Sequence, residues 1–95
     1  MILNEFVNLI KIGHEIELVF EERPYFVSCL YALTNEAKKK YASLMETGKR
    51  VYYISDETSK TEVYVGDFSG IFEYEFKPRV TIATHPEKFD INGWY

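Results

Sequence analysis

At Gly13 the hydrophobic period of this chain changes from that of a helix to that of a strand, and this switch limits the folds open to the chain more than any other feature. Residues 2–12 place Leu3, Phe6, Val7 and Ile10 at helical spacing, with Gly13 just beyond them to take the left-handed conformation that closes a helix. Directly afterwards Ile16, Leu18 and Phe20 alternate with Glu15, Glu17, Val19 and Glu21. Successive side chains of a strand point to opposite faces, so one face here is apolar and the other largely acidic. Such a strand needs a packed layer on one side and water on the other, which is the situation of an antiparallel sheet with helices on one face.

The rest of the chain is consistent with such a sheet. Glu22-Arg23-Pro24 supplies a turn, and residues 25–31, aromatic and β-branched, are read as a strand pairing back on the first. Thr34 or Asn35 caps a second helix over residues 35–47, with Ala37, Tyr41, Leu44 and Met45 on one face and Gly48 at its end. Residues 50–55 and 61–67 form a hairpin joined by the polar tip 56–60. After a break at Ser69-Gly70, Phe72, Tyr74 and Phe76 alternate with Ile71, Glu73 and Glu75, the pattern of a further strand. Pro78 turns the chain into a strand over 80–84, Pro86 opens a short helical turn holding Phe89, and Asn92-Gly93 signals a turn. The expected fold is α+β: a mostly antiparallel sheet of five or six strands with two helices packed on one face.

A chain of 95 residues supports one domain. Its single cysteine, Cys29, has no partner for an internal disulfide, which points to a reducing compartment and makes the cytoplasm the expected location. The beginning of the sequence lacks the charged start and apolar middle of a signal peptide. The longest nearly apolar run, residues 25–33, is about half the roughly 20 residues a membrane helix needs, so no membrane role is expected.

Charge is distributed unevenly. Residues 35–50 carry five basic and two acidic side chains, a net of +3, while the remainder carries six basic and thirteen acidic ones, a net of −7. Lys38, Lys39, Lys40, Lys49 and Arg50 are therefore the candidate anion-binding residues, for a nucleic acid or a phosphate-bearing ligand. A lysine run on a helix is also the ordinary form of a solvated face, and a sequence pI near 5.1 argues against nucleic acid as the partner.

On the acidic side, Glu15 with Glu17 and Glu73 with Glu75 are each two apart on an expected strand, and Glu62 and Tyr64 are expected on the same side. These six residues form the candidate protein-binding surface, an acidic and tyrosine-bearing face that would steer toward a basic partner. Its bland counterpart is the polar face of a one-sided sheet. Tyr52 and Tyr53 must face opposite ways, which brings at least one to the surface; Tyr64 is expected there too. Trp94 and Tyr95 are expected to clamp the helix–sheet seam, the alternative being an exposed anchor.

Nothing converges on a reaction. Neither His14, His85 nor Cys29 has metal-site spacing, and the two histidines read as turn or cap residues. Cys29 lies in an apolar run, where a thiol is usually buried and inert. The glycines of Gly66-Asp67-Phe68-Ser69-Gly70 lack the Gly-Lys-Ser/Thr ending of a phosphate loop and read as a bulge and a turn. The expectation is a non-enzymatic protein without cofactor or metal, binding another protein or pairing with itself through a sheet edge.

The stretch Gly13-His14-Glu15-Ile16-Glu17-Leu18-Val19-Phe20, then Tyr25-Phe26-Val27 and Phe89-Asp90-Ile91-Asn92-Gly93, resembles a pattern in small uncharacterised proteins of Gram-positive bacteria and their prophages. The similarity covers about a third of the chain, and the lysine-rich helix departs from it. The resemblance implies a bacterial or phage accessory protein with no active site to transfer; the acidic, tyrosine-bearing face, in its sharpest form, reads as an inhibitor of a host nucleic-acid-handling or defence protein.

Overall fold

The computed structural model describes residues 1–29, 35–46, 48 and 50–95. The opening helix, α1 (Leu3–Ile12), ends at Gly13 in the left-handed region, φ 104°, whose N–H donates back to the carbonyls of Ile10 and Leu9. Strands β1 (Ile16–Phe20) and β2 (Arg23–Cys29) pair antiparallel. The turn between them is Glu21-Glu22 rather than the expected Glu22-Arg23-Pro24, with φ 51° and 64°. Two left-handed residues give a turn whose twist matches the flanking strands, so Arg23 and Pro24 are left free to join β2.

The expected helix over 35–47 is two short pieces, α2 (Asn35–Lys40) and α3 (Ala42–Met45), separated at Tyr41, where φ is −107°. Thr34, the alternative cap, lies outside the described residues. Strands β3 (Tyr52–Asp56) and β4 (Thr61–Gly66) form the expected hairpin.

Two of the expected strands are absent from the described fold. Residues Phe68–Glu73 form a helix, α4, because the Asp67 side chain caps it by accepting from the Gly70 N–H at 2.9 Å, and Phe68, Ile71 and Phe72 then share one face. Tyr74 is extended and Phe76 lies at a bend, its N–H donating to the Val80 carbonyl, and neither joins the sheet. Phe76 instead seats its ring against Phe20, Tyr25, Tyr74 and Phe89, with centroids 4.9–5.6 Å apart. The alternation is real, but it packs a covering segment onto the core. Residues 80–84 are likewise a turn: His85 N–H donates to the Thr81 carbonyl while Val80 and Ile82 are buried.

A 3₁₀ turn (Pro86–Lys88) leads into β5 (Phe89–Trp94), which absorbs the expected Asn92-Gly93 turn. The result is a five-stranded antiparallel sheet, ordered β4-β3-β2-β1-β5, with the longest helix, α1, and α4 packed on one face. Phe6 and Ile10 of α1 and Ile71 of α4 meet Ile16, Leu18, Phe20, Val27 and Ile54 in the core. Among the described residues, no helix is long and apolar enough to cross a membrane.

Candidate functional site

The face of the sheet opposite α1 and α4 carries the acidic side chains. Strand register brings Glu17 of β1, Phe26 of β2, Ser55 of β3 and Glu62 of β4 into one transverse row, all of them half-exposed. Adjacent strands are about 4.8 Å apart, so Glu17 and Glu62 bracket Phe26 and Ser55 across roughly 14 Å. Asp90 lies opposite Val19 and Val19 opposite Pro24, whose carbonyl accepts from the Glu57 N–H at 3.1 Å; this extends the acidic surface on one side of the row. Glu15 extends it on the other side, joined to Tyr95 by a reciprocal pair of backbone hydrogen bonds of 2.9 and 3.1 Å. The Tyr95 ring meets Phe26 edge-on at 6.4 Å, and the Asn92 amide donates to Glu17 Oε1 at 3.1 Å.

On the Glu15 side of this row the paired Ser28 and Tyr53 are buried. Tyr53 is 2% exposed and Ser28 1%, the latter donating its hydroxyl to the His14 carbonyl. Burial pushes the Tyr53 hydroxyl well above its ordinary range, and the negative field of Glu15, Glu57 and Glu62 pushes it further. The Glu15 carboxyl is raised too, first by partial burial and then by the negative field of Glu57.

Three members of the expected surface lie elsewhere. Glu62 and Tyr64 face opposite ways because the β3–β4 register shifts: Ser55 opposes Glu62 and Ile54 opposes Tyr64, leaving Val63 as the extra residue of a bulge. Tyr64 therefore lies on the helix side, donating its hydroxyl to the Asp67 carbonyl at 2.8 Å, with its acidity suppressed to a pKa of about 12, first by burial and then by Asp67. Glu73 ends α4, and Glu75 accepts a 3.4 Å bond from the Arg79 N–H in the covering segment; neither is in the sheet. In their place the structure adds Glu57 and Asp90. Sequence alone put Glu57 in the hairpin tip and Asp90 near a turn, and only the strand pairing brings them to this face.

The other aromatics are also redistributed. Tyr52 and Tyr53 face opposite sides, yet both are buried. Trp94 and Tyr95 do not clamp the seam: they are 55% and 71% exposed. The lysines do not converge, since successive helical residues are about 100° apart around the axis, and Lys38, Lys39 and Lys40 fan across the six-residue α2. Lys40 Nζ lies 5.3 Å from the Tyr41 ring centroid, and Arg50 hydrogen-bonds the Tyr52 side chain. Lys49 lies outside the described residues.

Among the described residues, concavities flank the sheet in two places. One, of about 510 Å³, sits at the β1–β2 turn, where the Arg23 guanidinium pairs with Asp56 at 2.6 Å. The other, of about 420 Å³, runs between α1 and β5 and is lined by Glu5, Asn8, Leu9, Ile12, Ile91 and Trp94. Among the described residues, no group of three or more His, Cys, Asp or Glu side chains is arranged to hold a metal ion. Set against family models, curated proteins and solved structures, the chain matches none of them.

Proposed function

We propose that this protein is a non-enzymatic interaction module of the cytoplasm that binds the basic surface of another protein through its outer sheet face. The observation that carries this reading is the row Glu17–Phe26–Ser55–Glu62, flanked by Glu15, Glu57 and Asp90. Carboxylates at its ends and flanks steer and orient a cationic partner, and the half-exposed Phe26 beside Tyr95 offers apolar area for it to cover. In the sharpest form of the reading, the module is an accessory protein of a bacterium or prophage that occludes a nucleic-acid-handling or defence protein.

The test is affinity capture from lysate of the source organism with the wild-type chain and a Glu17→Lys/Glu62→Lys variant, with Glu73→Lys/Glu75→Lys as the off-face control. A stoichiometric protein that survives nuclease, leaves in high salt and is lost only from the first variant supports the assignment. Equal capture by both variants, or recovery of nucleic acid alone, overturns it.

A further inference from the structure

The acidic face ends at β5, the last strand of the sheet, and among the described residues no strand pairs with its far side, which lies beside the α1 groove. Glu15 exchanges both backbone bonds with Tyr95, so the odd-numbered residues of β1 address β5 and the even-numbered ones address β2. Phe89, opposite Phe20, and Ile91, opposite Leu18, must therefore aim their N–H and C=O groups away from β1. The Phe89 carbonyl does so, accepting from the Met1 ammonium at 2.8 Å. Ile91 presents the same pair of groups at the groove.

A second bulge shapes the side chains there. The β1–β5 register shifts between Glu17 and Leu18, so Ile91 and Trp94, three apart in sequence, both face the helix side, where Leu9 and Ile12 complete an apolar trough. Ile12 is 74% exposed. Asp90, paired with Val19, and Asn92, which donates to Glu17, flank Ile91 on the opposite side, and Glu5 is the charged residue lining the trough.

We infer that this edge binds an extended segment of a partner protein as a sixth strand, one in which apolar residues facing the α1–β5 groove alternate with lysine or arginine facing Asp90 and Glu17. Backbone pairing at Ile91 supplies register, and the trough takes the side chains of one face. The partner's charge follows from the site: Glu5, Asp90 and Glu17 call for cations on both sides of the added strand. A second copy of this chain lacks that complement, because Phe89–Trp94 carries one acidic and no basic side chain and would bring Asp90 against an acidic surface. The inference rests on the acidic-face reading for the sign of the partner's charge, and adds the form in which the partner binds.

The experiment is an amide NMR titration of the intact chain with a blocked Lys-Val-Lys-Val-Lys peptide and its Glu-Val-Glu-Val-Glu counterpart, alongside sedimentation of the protein alone. Shifts centred on Ile91, Leu9 and the Trp94 indole with the basic peptide only, slowed exchange of the Ile91 amide, and about tenfold weakening by Ile12→Glu or Trp94→Ala are expected. Both replaced side chains are exposed, so the variants retain the fold. Absence of shifts at millimolar peptide overturns the inference, as does equal binding of the acidic peptide. A dimer broken by Trp94→Ala overturns it in favour of a second copy. Shifts confined to Phe26, Ser55 and Glu62 overturn the added strand while leaving the acidic-face reading intact, which fails separately if Glu17→Lys/Glu62→Lys retains its captured partner.

Discussion

At the β4 edge the chain passes at once into α4, and Tyr64 reaches back across Gly66 and Gly70 to hold Asp67; at the β5 edge Ile91 points its backbone outward beside a half-exposed Trp94. Both edges contain a bulge, yet the bulges act oppositely. The one at Val63 turns Tyr64 inward to lock the strand to the helix after it, whereas the one near Asn92 turns Trp94 into an open groove. Sheets commonly protect their edges against stray pairing. In the proposed reading, the β5 edge beside the apolar trough is the one that receives a partner strand, while the β4 edge is tied to the helix that follows it.

The contrast can be broken most severely at Gly70. A β-carbon there would lie 1.8 Å from the Tyr64 hydroxyl oxygen, so Gly70→Ala must displace the lock. A loss of about 2–3 kcal/mol, lowering Tm by roughly 10–20 °C, is expected by thermal denaturation. In a Tyr64→Ala background the same change should be neutral or stabilising, since alanine favours a helix by about 1 kcal/mol over glycine. An equal penalty in both backgrounds would refute the lock.

A smaller loss, about 1 kcal/mol, is expected for Tyr64→Phe, which deletes the hydroxyl bonds to the Asp67 carbonyl and side chain at 2.8 and 3.2 Å. Urea denaturation would detect it, and an unchanged midpoint would show that the ring alone holds the edge.

At the other end of the β3–β4 hairpin, Asp56 pairs with Arg23 and accepts from the Thr58 N–H at 2.9 Å. The Arg23 hydrogen bond, foremost, holds its carboxyl below the usual range. Its stabilisation is present above the unfolded pKa and disappears as pH falls through the folded one, below about pH 4. Asp56→Asn should lower Tm at neutral pH and flatten the acid limb of the Tm profile; a parallel profile would remove Asp56 from the acid response.

On the acidic face the sign reverses. Glu15 has a raised pKa, so its ionisation destabilises the fold as pH rises through that value. Glu15→Gln should raise Tm slightly at neutral pH, with the gain vanishing below about pH 4. A loss at neutral pH would mean the carboxylate is structurally required. The smallest effect belongs to the open edge: Trp94→Ala should stay within about 0.5 kcal/mol in stability, against the large response of the β4 side.

The acidic alternation of residues 15–21 was legible in the sequence because it sits in a strand with regular partners along its β2 side. The left-handed glycine just ahead of it marked the helix end and the strand start locally. Residues 71–77 were not legible in the same way. Phe72, Tyr74 and Phe76 alternate as a strand would, but Phe68, Ile71 and Phe72 also satisfy a helix, and Asp67 as a cap decides between them over the first half. Of the expected acidic surface, Glu15, Glu17 and Glu62 share a face, while Tyr64, Glu73 and Glu75 do not.

What the sequence determined by itself is whatever depends on a residue and its near neighbours: the Gly13 cap, the two-sided character of β1, the polar hairpin tip after Asp56, and the excess of carboxylates outside residues 35–50. What only the tertiary structure decided is which face each later side chain joins. A bulge belongs to a pair of strands and not to one, so no local pattern announces that Glu62 and Tyr64 part company or that Ile91 and Trp94 come together. Face, edge and groove are consequences of hydrogen-bond register between segments distant in sequence, and register is set when the whole sheet closes over its core.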